Sequence, residues 1–268
     1  MMHIKRWLTA VVALPVLIYI IGPAPRWLFH GFLFLASAVS LSEFFDMAAP
    51  KLPWPVKLCS FLLSFFLFFS ISQGPFFISL AVLTLWVMIP LGLYLFFSSS
   101  RRAKAIDEVG KVALGLLYIS LPLSLLVFVD RHPGGNIWIF FLLAVIFLSD
   151  TSAFYVGRSM GRHKLHPTVS PGKTWEGAIG GLAGGLLAAF LFSRFFSIYR
   201  FDLLIMILAA TLSVSGQIGD LAESMLKRHY GQKDSGKILP GHGGLLDRID
   251  GLLFATPVLY LFVTWSIS

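Results

Sequence analysis

The chain is poor in cysteine and in charge. Cys59 is the single cysteine in 268 residues, so no internal disulfide can form. Asp, Glu, Lys and Arg make up only 13% of the residues, against 57% hydrophobic ones. So little charge, with a mean hydropathy of +0.82, excludes an ordinary soluble domain. The apolar runs do not alternate with period two, which argues against an outer-membrane barrel. No cysteine cluster and no His-x-x-x-His spacing points to zinc. The net charge of +8 is not read as nucleic-acid binding. In a chain this apolar, loops on the cytoplasmic side and anionic lipid or phosphate ligands account for it better.

What the chain has in abundance is long apolar stretches. They predict an all-α, polytopic, multi-pass membrane protein with about nine transmembrane helices. The expected spans are 7–22, 26–47, 56–71, 76–97, 111–129, 137–156, 175–196, 201–222 and 249–267. Lys5 and Arg6 before the apolar stretch 8–21 give the outline of a signal peptide. Pro23 and Pro25 stand where a small-residue cleavage site belongs, so this stretch is read as a retained first span. Of 21 Lys and Arg residues, only Arg26, Arg131, Arg194 and Arg200 fall on one side of the resulting topology. The positive-inside rule then places the N-terminus in the cytoplasm and the C-terminus outside, in a cell's inner (cytoplasmic) membrane. Residues 1–110 are read as N-terminal spans and 111–268 as a catalytic region, within one continuous membrane unit. The 26 Phe residues, dense between positions 61 and 69, read as lipid-facing or packing surface.

Charge and flexible backbone gather in the window 224–250, between two apolar segments. Just upstream, Asp220 ends span eight; it reads either as a metal-binding carboxylate at the lipid boundary or as a partner of Lys227 or Arg228. Asp247 and Asp250 open span nine, where Asp is a favoured helix cap and also suits oxygen-only Mg²⁺ binding shared with phosphates. Gly243 and Gly244 just before them allow close backbone approach to a phosphate. His242 reads equally as structural or catalytic. In the loop 157–174, Gly172, Lys173 and Thr174 match the end of a Walker A loop, but Pro167 stands where the first Gly belongs and no strand is expected before it, so a P-loop is rejected. Ser170, Lys173 and Thr174 at the start of span seven could still hold phosphate, while Lys173 also reads as an ordinary positive-inside residue. Asp150 is read as a polar anchor between helices or as support for the site. Gly177, Gly181 and Gly185 mark a face where a second helix approaches, from this chain or from a second copy, which leaves a homodimer open.

The window resembles the signature of the CDP-diacylglycerol synthase (phosphatidate cytidylyltransferase) family. The matching residues are Ser224, Lys227, Arg228, Lys233, Asp234, Gly236, Leu239, Pro240, His242, Gly243, Gly244, Asp247, Arg248 and Asp250. Ser149, Asp150 and the stretch from Ser170 to Gly177 are also similar to that family. The resemblance implies transfer of a cytidylyl group from CTP to phosphatidic acid, releasing pyrophosphate. It implies Mg²⁺ or another divalent cation, with a second cation open, and a bilayer-bound site. By this reading Asp220 and Asp247 hold the metal, with Asp150 and Glu176 in support, and Lys173 and Lys227 join them in catalysis. Ser170, Thr174, Ser224, Arg228, Lys233, Asp234, His242, Gly243, Gly244, Arg248 and Asp250 are expected to bind substrate. Three rivals fail on sequence, one of them a CTP-dependent polyprenol kinase, near in chemistry, against which the long signature weighs. Asp247 to Gly251 mimics the opening of a CDP-alcohol phosphatidyltransferase motif, but 252–260 lacks its further aspartates. A transporter would place polar groups near mid-membrane, and no inverted repeat is visible.

Overall fold

The computed structural model describes residues 14–73, 76–97, 105–196, 202–238 and 243–267. The described part of α1 covers 14–21. It is followed by α2 (Arg26–Ala48), α3 (Trp54–Gln73), α4 (Phe76–Phe97) and α5 (Ala105–Gly115). A π-helical turn, Leu116–Ser120, joins α5 to α6 (Leu121–Arg131). Next come α7 (Gly135–Met160), a hairpin of β1 (Lys164–His166) and β2 (Ser170–Thr174), α8 (Trp175–Phe195), α9 (Leu203–His229) and α10 (Leu246–Ile267). The protein is an all-α polytopic membrane protein. Among the described residues, seven helices are long and apolar enough to cross a membrane. The other two expected spans correspond to α1, described only in part, and α4, whose apolar stretch is counted over Ile78–Tyr94. The antiparallel hairpin, in which Lys164 faces Thr174 and His166 faces Ser170, is an element the sequence did not suggest.

By packing density the chain divides into two units. The first comprises Met1–Phe128 and Asp234–Leu246. In it, α2 packs on α3, α5 and the π-helical turn. Leu41, Phe44, Phe45, Val56, Leu67, Val112, Leu116 and Ile119 are fully buried between them. Gly115 permits the close crossing, since a Cβ there would lie 2.8 Å from the Phe44 ring. Ser37, Ser64 and Ser120 form a buried hydroxyl cluster across three helical segments, with Ser120 Oγ 2.9 Å from Ser37 Oγ and 3.0 Å from Ser64 Oγ. Small polar side chains of this kind join helices where apolar burial cannot discriminate between lipid and protein. Phe65, Phe66 and Phe69 stay about half exposed, the surface a bilayer would cover.

The second unit comprises Val129–Lys233 and Asp247–Ser268. Its main seam is α7 against α8. Cβ atoms at Gly181 and Gly185 of α8 would meet Ala153 at 3.1 Å and Ser213 at 2.9 Å, and one at Gly177 would meet the Ala153 carbonyl at 2.9 Å. The glycine face therefore packs on α7 and α9 of the same chain. Ser149 and Ser213, 2.7 Å apart, tie α7 to α9. α10 crosses α9 at another glycine contact: a Cβ on Gly219 would lie 2.5 Å from the Asp250 carbonyl oxygen.

Candidate active site

The start of α8 and both ends of α9 carry their own local capping signals. Thr174 closes β2 and caps α8, its Oγ1 accepting from Gly177 N at 3.1 Å. Asp202 starts α9 in the same way, accepting from Ile205 N at 3.0 Å. α9 ends at Gly231, whose φ of 69° is the left-handed conformation a glycine adopts without strain. Gly231 N donates to Arg228 O at 3.1 Å and Gln232 N to Lys227 O at 2.8 Å, a Schellman arrangement that turns the chain sharply after the basic run. Arg228 adds a side-chain bond from Nη1 to Gln232 O at 3.2 Å.

Two lysine–carboxylate pairs occupy the second unit. Lys173, on β2, lies 2.7 Å from Asp220 Oδ2 on α9. Lys227 lies 2.7 Å from Asp247 Oδ1 and is also paired with Glu223 one turn back on α9. This second group is nearly dry: the side chains of Lys227, Glu223 and Asp247 are 12%, 1% and 6% exposed. Asp150 on α7 interacts electrostatically with Asp220 and Lys173, and Asp250 with Asp220, Asp150 and Lys227. Glu223 in turn feels Asp247 and Asp250. The Gly219 crossing explains part of this, because it brings the α10 backbone at Asp250 against the α9 residue next to Asp220.

Asp150, Asp220, Glu223, Asp247 and Asp250 thus form one linked group against the ammonium groups of Lys173 and Lys227. Such an excess of carboxylate, dry at Glu223 and Asp247 and open at Asp150 and Asp220, favours a bound cation. All donors are carboxylate oxygens, the chemistry that suits Mg²⁺ rather than zinc. Among the described residues no three of His, Cys, Asp and Glu converge closely enough to enclose an ion by themselves. A donor set of carboxylate oxygens fits an ion that keeps water and substrate oxygens in its shell, as Mg²⁺ commonly does.

The remaining expected residues lie around or apart from this cluster. Ser170 begins β2 and Ser224 follows Glu223 on α9, both half-buried. Arg228, Lys233, Asp234 and Arg248 are exposed. Gly243 has a φ of 82°, and Gly244 is buried in the first unit beside Ser235 and Glu43. Glu176 holds the hairpin: its carboxylate accepts from Arg162 N at 3.1 Å and lies 2.6 Å from His163 Nδ1. His242 lies outside the described residues. Two acids were not singled out from sequence. Glu223 could have been found by its i,i+4 spacing to Lys227. Glu43 could have been found as a carboxylate within an apolar span.

Comparison with known proteins places the whole chain. A model of the cytidylyltransferase family matches residues 4–266. A phosphatidate cytidylyltransferase of Bacillus subtilis (strain 168) is 36% identical over 266 residues, 97% of each chain. One of Staphylococcus haemolyticus is 34% identical over 96% of this chain and 98% of its own. One of Brucella abortus biovar 1 is 48% identical over 158 residues, 57% of each chain. Matched from residue 4 to residue 266, the chain belongs to the cytidylyltransferase family.

Proposed function

We propose that the protein is a phosphatidate cytidylyltransferase working at the cytoplasmic face of a cell's inner membrane. A phosphate oxygen of phosphatidic acid attacks the α-phosphorus of CTP. A new P–O–P bond forms, the bond to the β-phosphate bridging oxygen breaks, and pyrophosphate leaves with that electron pair. The product is CDP-diacylglycerol. The observation that carries this reading is the cluster of Lys173 on β2, Asp220 and Lys227 on α9, and Asp247 at the start of α10. The relatives that share most of the chain carry the same name.

The attacking group needs no protein base, because a phosphate monoester is mostly ionised at pH 7. Lys173 and Lys227 neutralise phosphate charge, with Arg228, Lys233 and Arg248 contributing from exposed positions around them. Both lysines are held by carboxylates, so their ammonium groups are fixed before substrate arrives. Asp220 and Asp247, supported by Asp150 and Asp250, are the residues that would hold a divalent cation. Such an ion, when bound, orients phosphate oxygens and offsets charge developing on the pyrophosphate. Ser170 and Ser224, both half-buried, complete the phosphate surface. Thr174 and Glu176 act through the hairpin, one capping α8 and the other fixing the hairpin's first residues. The loops rich in Lys and Arg face the cytoplasm, where CTP is supplied, while phosphatidic acid arrives within the bilayer.

Purified protein in detergent, given labelled CTP, phosphatidic acid and Mg²⁺, is expected to form CDP-diacylglycerol and pyrophosphate in equal amounts. No product across varied lipid and metal conditions would overturn the assignment.

A further inference from the structure

We infer that Glu43 is a positioning residue for the start of α10, the helix that carries Asp247; the inference rests on the reaction proposed above. Glu43 is 5% exposed on α2 and is followed by the fully buried Phe44 and Phe45. A carboxylate in a spanning helix is costly unless its oxygens are engaged. Here Oε1 accepts from Leu245 N at 3.0 Å. Oε2 accepts from Leu246 N at 2.9 Å and from Ser235 Oγ at 3.3 Å. Leu246 is the first residue of α10, so these amides are among the donors that a helix N-terminus leaves unpaired. An anion is the favoured group at that end of the helix dipole.

The glycines of the loop follow from the same contact. A Cβ on Gly236 would lie 2.5 Å from Glu43 Oε1, and one on Gly244 2.6 Å from Oε2. One carboxylate therefore holds both ends of the 235–246 segment, and side chains at either glycine would push it off. A side chain at Gly244 has no room because the Ser235 hydroxyl and the Glu43 carboxylate occupy the space beside it. Gly243, at φ 82°, stands just before these anchored residues, and the chain leads from Leu246 directly to Asp247. Releasing the carboxylate frees both ends at once.

The test compares Glu43→Ala and Glu43→Gln with Leu41→Ala, a core truncation on the same helix. Each full-length protein is assayed in detergent for thermal unfolding, for kcat and KM with CTP, and for the rate of trypsin cleavage after the exposed Lys237. Glu43→Ala is expected to speed that cleavage about tenfold, since native-state proteolysis tracks the open population. It is expected to lower kcat/KM about 100-fold, the scale of a misplaced reacting group. Glu43→Gln, which keeps one acceptor oxygen, falls between it and wild type. Leu41→Ala lowers the unfolding temperature but leaves cleavage and kcat/KM within about twofold of wild type. Wild-type cleavage in both Glu43 variants, or equal losses in Leu41→Ala, would overturn the inference. Should Glu43→Ala not fold, Glu43→Gln alone carries the comparison. The cleavage arm needs no turnover, so an inactive wild type would count against the proposed reaction and not against the clamp.

Discussion

Lys173 of the hairpin and Asp220 of α9 meet through a 2.7 Å ion pair, joining two segments that are far apart in sequence. Both side chains remain partly exposed, 25% and 42%, so the pair is open to substrate and is a weak source of stability. Its value is positional. Asp220→Asn and Lys173→Met are each expected to lower kcat/KM about 100-fold while leaving the unfolding temperature nearly unchanged. The double variant should be little worse than either single one, because groups that act as a unit are not additive. Wild-type turnover in Asp220→Asn would remove that residue from the site.

The Lys227 group behaves differently because it is buried. Removing one partner of a buried ion pair leaves uncompensated charge and costs about 3–5 kcal/mol. Lys227→Met would strand both Glu223 and Asp247, so it should destabilise the protein on that scale and abolish turnover. Glu223→Gln keeps the shape and leaves Lys227 its pair with Asp247. It should therefore retain most of the stability. Thermal unfolding in detergent, followed by tryptophan fluorescence, distinguishes the two. Equal unfolding temperatures for Lys227→Met and wild type would contradict the buried pairing.

The α9–α10 crossing can be tested without touching a charge. Gly219→Ala places a Cβ 2.5 Å from the Asp250 carbonyl oxygen, which is backbone and cannot swing away. Overpacking of this kind costs about 1–3 kcal/mol and separates the helices. Gly31→Ala, in α2, meets nothing within 4 Å and should be neutral or slightly stabilising. Activity in Gly219→Ala should fall at least about tenfold, because Asp250 and Asp220 are moved apart. Retained activity in Gly219→Ala would mean that the crossing does not set their spacing.

Much of this was legible in the sequence, for reasons that differ by residue. Apolar length announces a membrane helix directly, so α2, α3, α7, α8, α9 and α10 fall on the expected stretches. Asp220, Lys227, Asp247 and Lys173 stood out because charge in so apolar a chain is rarely idle. The hairpin did not. Its strands of three and five residues contain Pro171 and Gly172 and carry no alternation. The contact between Gly177, Gly181 and Gly185 and α7 was legible as a close approach, but not as one within the chain. Glu43 is visible as a carboxylate in an apolar span, but its partners are not: they lie 192 to 203 residues away, and nothing local in α2 predicts them. Gly244 was read for its freedom to approach a phosphate, whereas its neighbour is a carboxylate of the protein itself.

The charge imbalance around Asp220 leads to a prediction about metal. Asp150, Asp220, Glu223, Asp247 and Asp250 are electrostatically linked, and Lys173 and Lys227 are paired with three of them. Chelation of divalent cations should therefore stop turnover, and added Mg²⁺ should restore it. Asp150 and Asp250 are not bonded to a lysine as Asp220 and Asp247 are, so they are the carboxylates most available to support the ion. Asp150→Asn and Asp250→Asn should each raise the Mg²⁺ concentration for half-maximal activity about 10-fold or more, with a smaller effect on the rate at saturating Mg²⁺. The same shift should appear without substrate, as a higher Mg²⁺ requirement for the ligand-induced rise in unfolding temperature. Glu176→Gln, whose carboxylate is engaged by Arg162 and His163, should leave the Mg²⁺ curve in place while loosening the hairpin. If instead Glu176→Gln moves the curve and Asp150→Asn does not, the ion is held from the hairpin side.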